Sequence, residues 1–178
     1  MYATGHGPQG KGTVYVLGDS LSAGIGSTVR CWPRVLGETT SLRVVNLAQP
    51  GARVEDAIRQ AQGIVGSNAV VIVEIGGNDL LAFGEDAEKF AVQLDRLVAL
   101  LRANRHQVLL MELPLFSFQN RYGRAQRAIA AQYHVALLPK RYLTQVLGIR
   151  QGTIDGLHLS QAGHGALAHI MADVMVPE

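Results

Sequence analysis

The chain has 178 residues, enough for one domain with a sizeable hydrophobic core. Apolar residues make up 48% of it and charged residues 17%, a balance typical of a globular protein and not of a disordered segment. A net charge of +2 does not indicate a nucleic-acid partner, and a single cysteine excludes an intrachain disulfide. No apolar run reaches the roughly 18 residues that a membrane span needs.

The chain begins with a glycine-rich stretch, residues 1–12, that lacks the apolar core of a signal peptide. We expect a flexible segment there, followed by a single domain over residues 13–178.

The first predicted strand, Thr13–Leu17, leads into Gly18-Asp19-Ser20, which places a hydroxyl at the carboxyl end of that strand. Open α/β sheets bind their ligands at this edge. A serine hydroxyl is a weak nucleophile until a neighbouring base takes its proton, so Ser20 would need a histidine and an acid from elsewhere. We expect Asp19 to brace the loop, and Ser22 either to cap the following helix or to contact substrate.

The second predicted strand, Leu42–Leu47, is followed by Gly51, whose backbone N–H can approach a substrate closely. The third, Ala69–Ile75, is followed by two glycines and then Asn78. A carbonyl attacked by serine becomes an oxyanion, which needs preorganised donors. The Ser20 N–H, the Gly51 N–H and the Asn78 amide are the candidates for these donors.

The third strand is apolar except for Glu74. A carboxylate in such a strand lies either at the strand's end, facing the rim of a site, or in a pair inside the protein, because an unpaired buried charge is costly. The sequence leaves both alternatives open.

The fourth and fifth predicted strands are Gln107–Leu113 and Val135–Leu138, and a helical apolar stripe over residues 86–104 precedes them. Regular alternation of strand and helix predicts an α/β fold, a three-layer α/β/α sandwich around a five-stranded parallel sheet of flavodoxin-like kind. Apolar loops follow the third and fourth strands. They predict either a groove for an acyl chain or packing against the sheet edge, with these residues as the candidate lining: Leu80, Phe83, Leu115 and Phe116.

Near the other end, Asp155 and His158 lie three residues apart in a turn that contains glycine. None of the other five histidines has an acid in this position, and His164 is expected to pack inside a final helix that begins after Ser160. Arg121, Arg124 and Arg127 predict a solvated helix face rather than an anion site. No spacing of His, Asp or Glu predicts a metal site.

Four segments resemble, in order and spacing, the conserved blocks of the SGNH hydrolases, also called GDSL esterases and lipases. They are Gly18-Asp19-Ser20-Leu21-Ser22, Gly51, Gly76-Gly77-Asn78-Asp79 and Asp155-Gly156-Leu157-His158. The resemblance extends from Thr13 to about Val176 and is closest to the small bacterial thioesterase/lysophospholipase/arylesterase branch. It implies a cofactor-free serine hydrolase with Ser20 as nucleophile, His158 as base, Asp155 orienting His158, and an oxyanion hole formed by Ser20, Gly51 and Asn78.

The resemblance implies a small or lipid-like acyl ester as substrate, with thioesters and lysophospholipids as further candidates. That branch is exported, which suggests a periplasmic or secreted protein, whereas the missing signal peptide leaves a cytoplasmic protein open. Two other functions remain: a carbohydrate O-acetyl esterase with the same triad, and a non-catalytic flavodoxin-like binding module. The oligomeric state is left open.

Overall fold

A computed structural model describes residues 13–25, 30–83, 86–114 and 120–175. Five parallel strands form one sheet in the order β2-β1-β3-β4-β5, as the alternating pattern predicts. Their bounds are β1 (Thr13–Gly18), β2 (Arg43–Asn46), β3 (Val70–Glu74), β4 (Gln107–Met111) and β5 (Ala136–Leu138).

Helices connect the strands and follow the last one. They are α1 (Ser20–Ala23), α2 (Trp32–Thr39), α3 (Val54–Gln60), α4 (Gly77–Phe83), α5 (Ala87–Ala103), α6 (Asn120–Gln132), α7 (Lys140–Gly148) and α8 (Gln161–Met175), with a 3-10 turn at Ala61–Gly63. No helix within the described ranges is long and apolar enough to cross a bilayer.

Two hydrophobic cores lie on the two faces of the sheet, because alternate side chains of a strand point in opposite directions. In β3, Val70 and Ile72 pack with α2, α7 and α8, whereas Val71 and Val73 pack with α3, α5 and α6. All of β3 is buried, which explains its nearly continuous apolar sequence. The three-layer sandwich expected from the sequence is confirmed.

The fourth strand ends two residues earlier than predicted. The sequence pattern continues to Leu113, but β4 ends at Met111. The Leu113 N–H donates to the Gln126 side chain at 3.0 Å instead of a neighbouring strand, and Gln126 Nε2 donates to the Met111 carbonyl at 3.0 Å. A buried glutamine of α6 therefore ends the strand.

The strand order fixes where a site can form. After β1 the chain continues to β2 on one side of the sheet, whereas after β3 it continues to β4 on the other side. The neighbouring strands β1 and β3 therefore flank a topological switch point. Loops diverge at such a point and leave a crevice outside the carboxyl ends of the strands. Ser20 and Asn78 lie in the two segments that border it.

The start of α8 packs so closely against the segment that precedes it that no side chain would fit between them. A Cβ on Gly163 would lie 2.1 Å from the Gly152 carbonyl oxygen, whereas a Cβ on Gly165 in the same helix would meet nothing within 4 Å. Residues 153–159, between these contacts, carry Asp155 and His158. The position of that loop therefore depends on Gly163.

We expect the Gly163→Ala variant to be destabilised by about 1–3 kcal/mol, because overpacking forces the backbone apart. Its matched control, Gly165→Ala, should gain up to about 1 kcal/mol from helix propensity. Urea unfolding of both variants measures the difference. Equal stabilities would contradict the close contact between Gly163 and Gly152.

Candidate active site

Ser20 is the first residue of α1, a single turn directly after β1. Asp19 caps this turn, and its Oδ1 accepts the Leu21 N–H at 3.0 Å. Behind the turn, the Gln60 side chain holds both backbone groups of Gly18, accepting its N–H at 2.9 Å and donating to its carbonyl at 3.0 Å. The serine therefore sits on a turn that is hydrogen-bonded from two sides.

Asp155 and His158 form a hydrogen-bonded pair in the loop between α7 and α8. His158 Nδ1 lies 2.6 Å from Asp155 Oδ2, while Asp155 Oδ1 accepts the backbone N–H groups of Leu157 at 3.0 Å and His158 at 2.7 Å. The hydrogen bond from the His158 ring, followed by these backbone bonds, lowers the pKa of Asp155 to about 2. The carboxylate is thus ionised at neutral pH and contacts the imidazole directly.

Asn78 lies in the first turn of α4, next to the Ser20 turn. Its Nδ2 donates to Asp19 Oδ2 at 3.0 Å and to the Ala52 carbonyl at 3.1 Å. One amide therefore joins the segments that follow β1, β2 and β3. Gly51 lies in the same β2–α3 turn with φ +75°, a left-handed conformation that favours glycine, but it is exposed.

A cavity of about 420 Å³ brings most of the predicted site together. Ser20, Asn78 and His158 line it, and so does the predicted Leu80. Two carboxyl groups and two glycines also border it, namely Asp19, Glu74, Gly77 and Gly156, and the rest of its wall is apolar: Leu21, Leu81, Leu113, Pro114, Leu147 and Leu157. Gly51 is not part of the wall, and no hydrogen bond joins the Ser20 hydroxyl to His158 within the described ranges. The Phe83 side chain, Leu115 and Phe116 lie outside the described residues.

Glu74 combines the two alternatives that the sequence left open. It is the last residue of β3, it borders the cavity, and it is 1% exposed. Its Oε2 accepts the Ser22 hydroxyl at 2.9 Å. Both expectations for Ser22 are therefore wrong: Ser22 is fully buried inside α1 and uses its hydroxyl on Glu74, because the cap of α1 is Asp19.

Two other sequence expectations concern histidine and arginine. His164 is buried as expected, and its Nδ1 accepts the Trp32 N–H at 3.2 Å. Arg121 and Arg124 are exposed and border a second cavity of about 510 Å³ at the starts of α5 and α6, which shares no lining residue with the cavity that contains Ser20. Arg127 instead forms an ion pair with buried Glu112.

Sequence reasoning missed three features of the site: Gln60, the Ser22–Glu74 pair and Leu147. A glutamine on the buried face of α3 was the only available signal for Gln60, and Leu147 looks like any apolar residue of an amphipathic helix. Their importance comes from contacts between segments far apart in the chain.

Residues 16–166 match the model of the GDSL-like lipase/acylhydrolase family. The chain belongs to this family. It is therefore a hydrolase of the SGNH class, whose members act on esters. No curated protein matches it at a significant level.

Solved structures share the fold of this SGNH hydrolase. TesA superposes with a TM-score of 0.78 at 28% identity, covering 93% of this chain and 98% of TesA. The psychrotrophic esterase EstA from Pseudoalteromonas sp. has a TM-score of 0.78 at 21% identity, covering 91% and 95%. Axe2, an acetyl-xylooligosaccharide esterase from Geobacillus, has a TM-score of 0.77 at 20% identity, covering 96% and 97%.

Asp79, the neighbour of Asn78, is a buried carboxyl group whose oxygens both accept the Val54 N–H at 3.2 Å. Burial raises its pKa from 3.8 to about 6, against the opposing effect of the Val54 bond. Between these values the folded state keeps a proton that the unfolded state has released. The free energy of unfolding attributable to Asp79 therefore falls as the pH rises from about 4 to about 6.

We expect the Asp79→Asn variant, which cannot ionise, to be more stable relative to the wild type at pH ~7 than at pH ~3. Asp56 is the matched control. Burial acts to raise its pKa, but hydrogen bonds from the Arg53 N–H and from Arg59 prevail and lower it. Asp56→Asn should therefore be less stable relative to the wild type at pH ~7 than at pH ~3. Urea unfolding tests both signs, and equal signs would contradict the assignment.

Proposed function

We propose that this hydrolase is a serine esterase that cleaves carboxylic esters through an acyl-enzyme on Ser20. The observation that carries the proposal is the shared cavity of Ser20 and His158, together with the 2.6 Å bond between His158 Nδ1 and Asp155. That bond occupies one ring nitrogen with an ionised carboxylate, so Nε2 is the nitrogen that can act as a base.

His158 Nε2 accepts the Ser20 proton as Oγ attacks the ester carbonyl, and the carbonyl electron pair moves onto oxygen. Collapse of the tetrahedral intermediate expels the alcohol, which takes the proton from the imidazolium. Water then attacks the acyl-enzyme by the same route and releases the acid. Asp155 stabilises the imidazolium in both halves of the reaction.

Three donors are proposed for the oxyanion. The Ser20 N–H starts α1, and no described residue accepts it. Asn78 can share with the oxyanion the N–H that it donates to the Ala52 carbonyl, because that acceptor is neutral. Its bond to the Asp19 carboxylate is then kept. Gly51 has the least support of the three, since it does not border the cavity and its turn would have to approach the substrate.

The cavity wall favours an acyl group with an apolar chain. Apart from the polar groups near Ser20, leucines from α4, α7 and the His158 loop form most of it. Thioesters and lysophospholipids carry such chains too. The runner-up is a carbohydrate O-acetyl esterase, and the fold shared with an acetyl-xylooligosaccharide esterase is compatible with it. A non-catalytic binding module is the alternative from another class.

We expect an alkyl phosphonate probe to label the wild-type protein once, on Ser20, because only an activated serine attacks phosphorus. EstA was solved in a form inhibited by monoethylphosphonate. Ser20→Ala should remove the labelling and lower kcat/KM for p-nitrophenyl esters by more than about 10³-fold. Ser67→Ala, in an exposed loop, is the control. An unlabelled wild-type protein would favour the binding module, and labelled Ser20→Ala would refute the nucleophile.

Acyl-chain preference separates the two esterase proposals. We expect hydrolysis of p-nitrophenyl esters from acetate to laurate to peak at medium chains, as each buried methylene contributes about 0.8 kcal/mol. Leu81→Asp should lower activity on the medium chains about 3–10-fold and spare acetate. Its control is Val65→Asp, since Val65 is 80% exposed and Leu81 78%, but only Leu81 borders the cavity. A maximum at acetate would instead support the O-acetyl esterase.

A further inference from the structure

Glu74 presents an unsatisfied oxygen in the interior. Its Oε2 accepts the Ser22 hydroxyl, but Oε1 has no donor among the described residues. Ser22 Oγ also accepts the Trp32 Nε1–H at 3.2 Å, and its single proton is donated to Oε2 at 2.9 Å. The Ser22 proton is thus committed to Oε2. A buried carboxylate with one bare oxygen is costly, so Oε1 needs another explanation.

A second buried carboxyl group, that of Asp19, explains why Glu74 Oε1 has no donor. Asp19 is 4% exposed and follows Gly18, the register partner of Glu74, so its carboxyl group lies close enough to that of Glu74 for each to influence the pKa of the other. Asp19 Oδ1 accepts the Leu21 N–H, and Oδ2 accepts Asn78 Nδ2. Two contacting carboxyl groups away from water do not both ionise, so one proton lies between them. Of the four oxygens, only Glu74 Oε1 lacks a donor among the described residues, and a proton on this atom leaves none of the four without a hydrogen bond.

The backbone makes room for this arrangement. Gly18 and Glu74 are partners in the register of β1 and β3. A Cβ on Gly18 would lie 2.9 Å from Ser22 Oγ and 3.0 Å from Glu74 Oε2. Only glycine at position 18 lets the Ser22–Glu74 bond pass beneath the end of β1.

We propose that Glu74 is a positioning residue whose neutral carboxyl group donates from Oε1 to the Asp19 carboxylate, and thereby holds Asp19 in place to orient the Asn78 amide and the Ser20 turn. This inference rests on the proposed function, since it assigns Glu74 a task at the Ser20 site. Glu74 touches no reacting atom; it acts through Asp19.

The charges around the pair agree with this proton position. Burial, followed by the charge of Asp19, raises the pKa of Glu74 well above its usual range, although the Ser22 hydroxyl and the Asp19 backbone N–H act to lower it. Burial also raises the pKa of Asp19, but the Leu21 N–H, the bond from Glu74, His158 and Asn78 all act to lower it. The remaining titratable neighbour is Asp79 of α4, whose pKa is raised by burial and, to a smaller extent, by the charge of Asp19. These effects favour the proton on Glu74 and the charge on Asp19.

The kinetic test compares two substitutions of similar size. Glu74→Gln keeps a carbonyl oxygen for the Ser22 hydroxyl and offers an N–H to Asp19, so we expect kcat within about threefold of the wild type. Glu74→Leu keeps only the volume. We expect it to lower kcat about 10–100-fold with KM changed less than about twofold, because a misplaced oxyanion donor weakens the transition state and not substrate binding. Fluorescence of Trp32, the only tryptophan, checks that each variant is folded.

The spectroscopic test is independent of turnover and of whether Glu74→Leu folds. At pH ~8 ordinary carboxyl groups are ionised, so the carbonyl stretch of a protonated carboxylic acid should appear in the infrared spectrum of the wild type and be absent from Glu74→Gln. Asp79→Asn is the control and should retain the band.

The outcomes separate the two proposals. A wild type without the band, a Glu74→Gln variant as impaired as Glu74→Leu, or a fully active Glu74→Leu variant would each overturn the role of Glu74. If instead the wild type hydrolyses no ester and Ser20 is not labelled, the proposed function fails, while the infrared band still decides where the proton lies.

Discussion

One hydrogen bond, from Asn78 Nδ2 to Asp19 Oδ2, joins the two segments on which the site depends. β1 and β3 are neighbours in the sheet, and their last residues, Gly18 and Glu74, are register partners. The segments that leave these strands therefore start side by side, and the bond keeps them together where the polypeptide no longer belongs to the sheet. Together with the bond from the Ser22 hydroxyl to Glu74, it holds the serine and the amide in one hydrogen-bonded unit.

The histidine reaches the same place by a different route. It lies in a loop far along the chain, and the loop is held by a bridge between Thr153 and Leu159 and by the close contact of Gly163 with Gly152. Asp155 then orders the loop internally, because one carboxylate accepts two backbone N–H groups and the His158 ring. The cavity therefore lies between the carboxyl edge of the sheet and the loop of residues 153–159, which is stabilised by its own hydrogen bonds.

Much of this arrangement can be predicted from sequence. The strands follow from short apolar runs, and β3 stands out because it is buried on both faces. Ser20, Asn78, Asp155 and His158 follow from polar residues placed after strands or in glycine-containing turns, where chemistry accumulates in parallel α/β folds. Gly51 stays a prediction: its spacing fits the pattern, and it lies outside the cavity wall in this structure.

The rest could not be predicted because it arises from tertiary contacts. Ser22 has the local features of a cap, yet its hydroxyl is used by Glu74, 52 residues away. Gln60 likewise holds Gly18 across 42 residues. Neither pairing leaves a periodicity or a motif in the chain. A buried polar residue in an apolar segment signals that a partner exists, but not which one.

The central claim is that Ser20 Oγ carries the acyl group during turnover. Rapid acid quenching of the enzyme with a p-nitrophenyl ester, followed by mass spectrometry of its peptides, tests this claim directly. The account predicts one acyl group per chain, on the peptide that contains Ser20, appearing together with a burst of p-nitrophenol. Turnover with the acyl group on another residue, or with no acylated peptide and no burst, would contradict it.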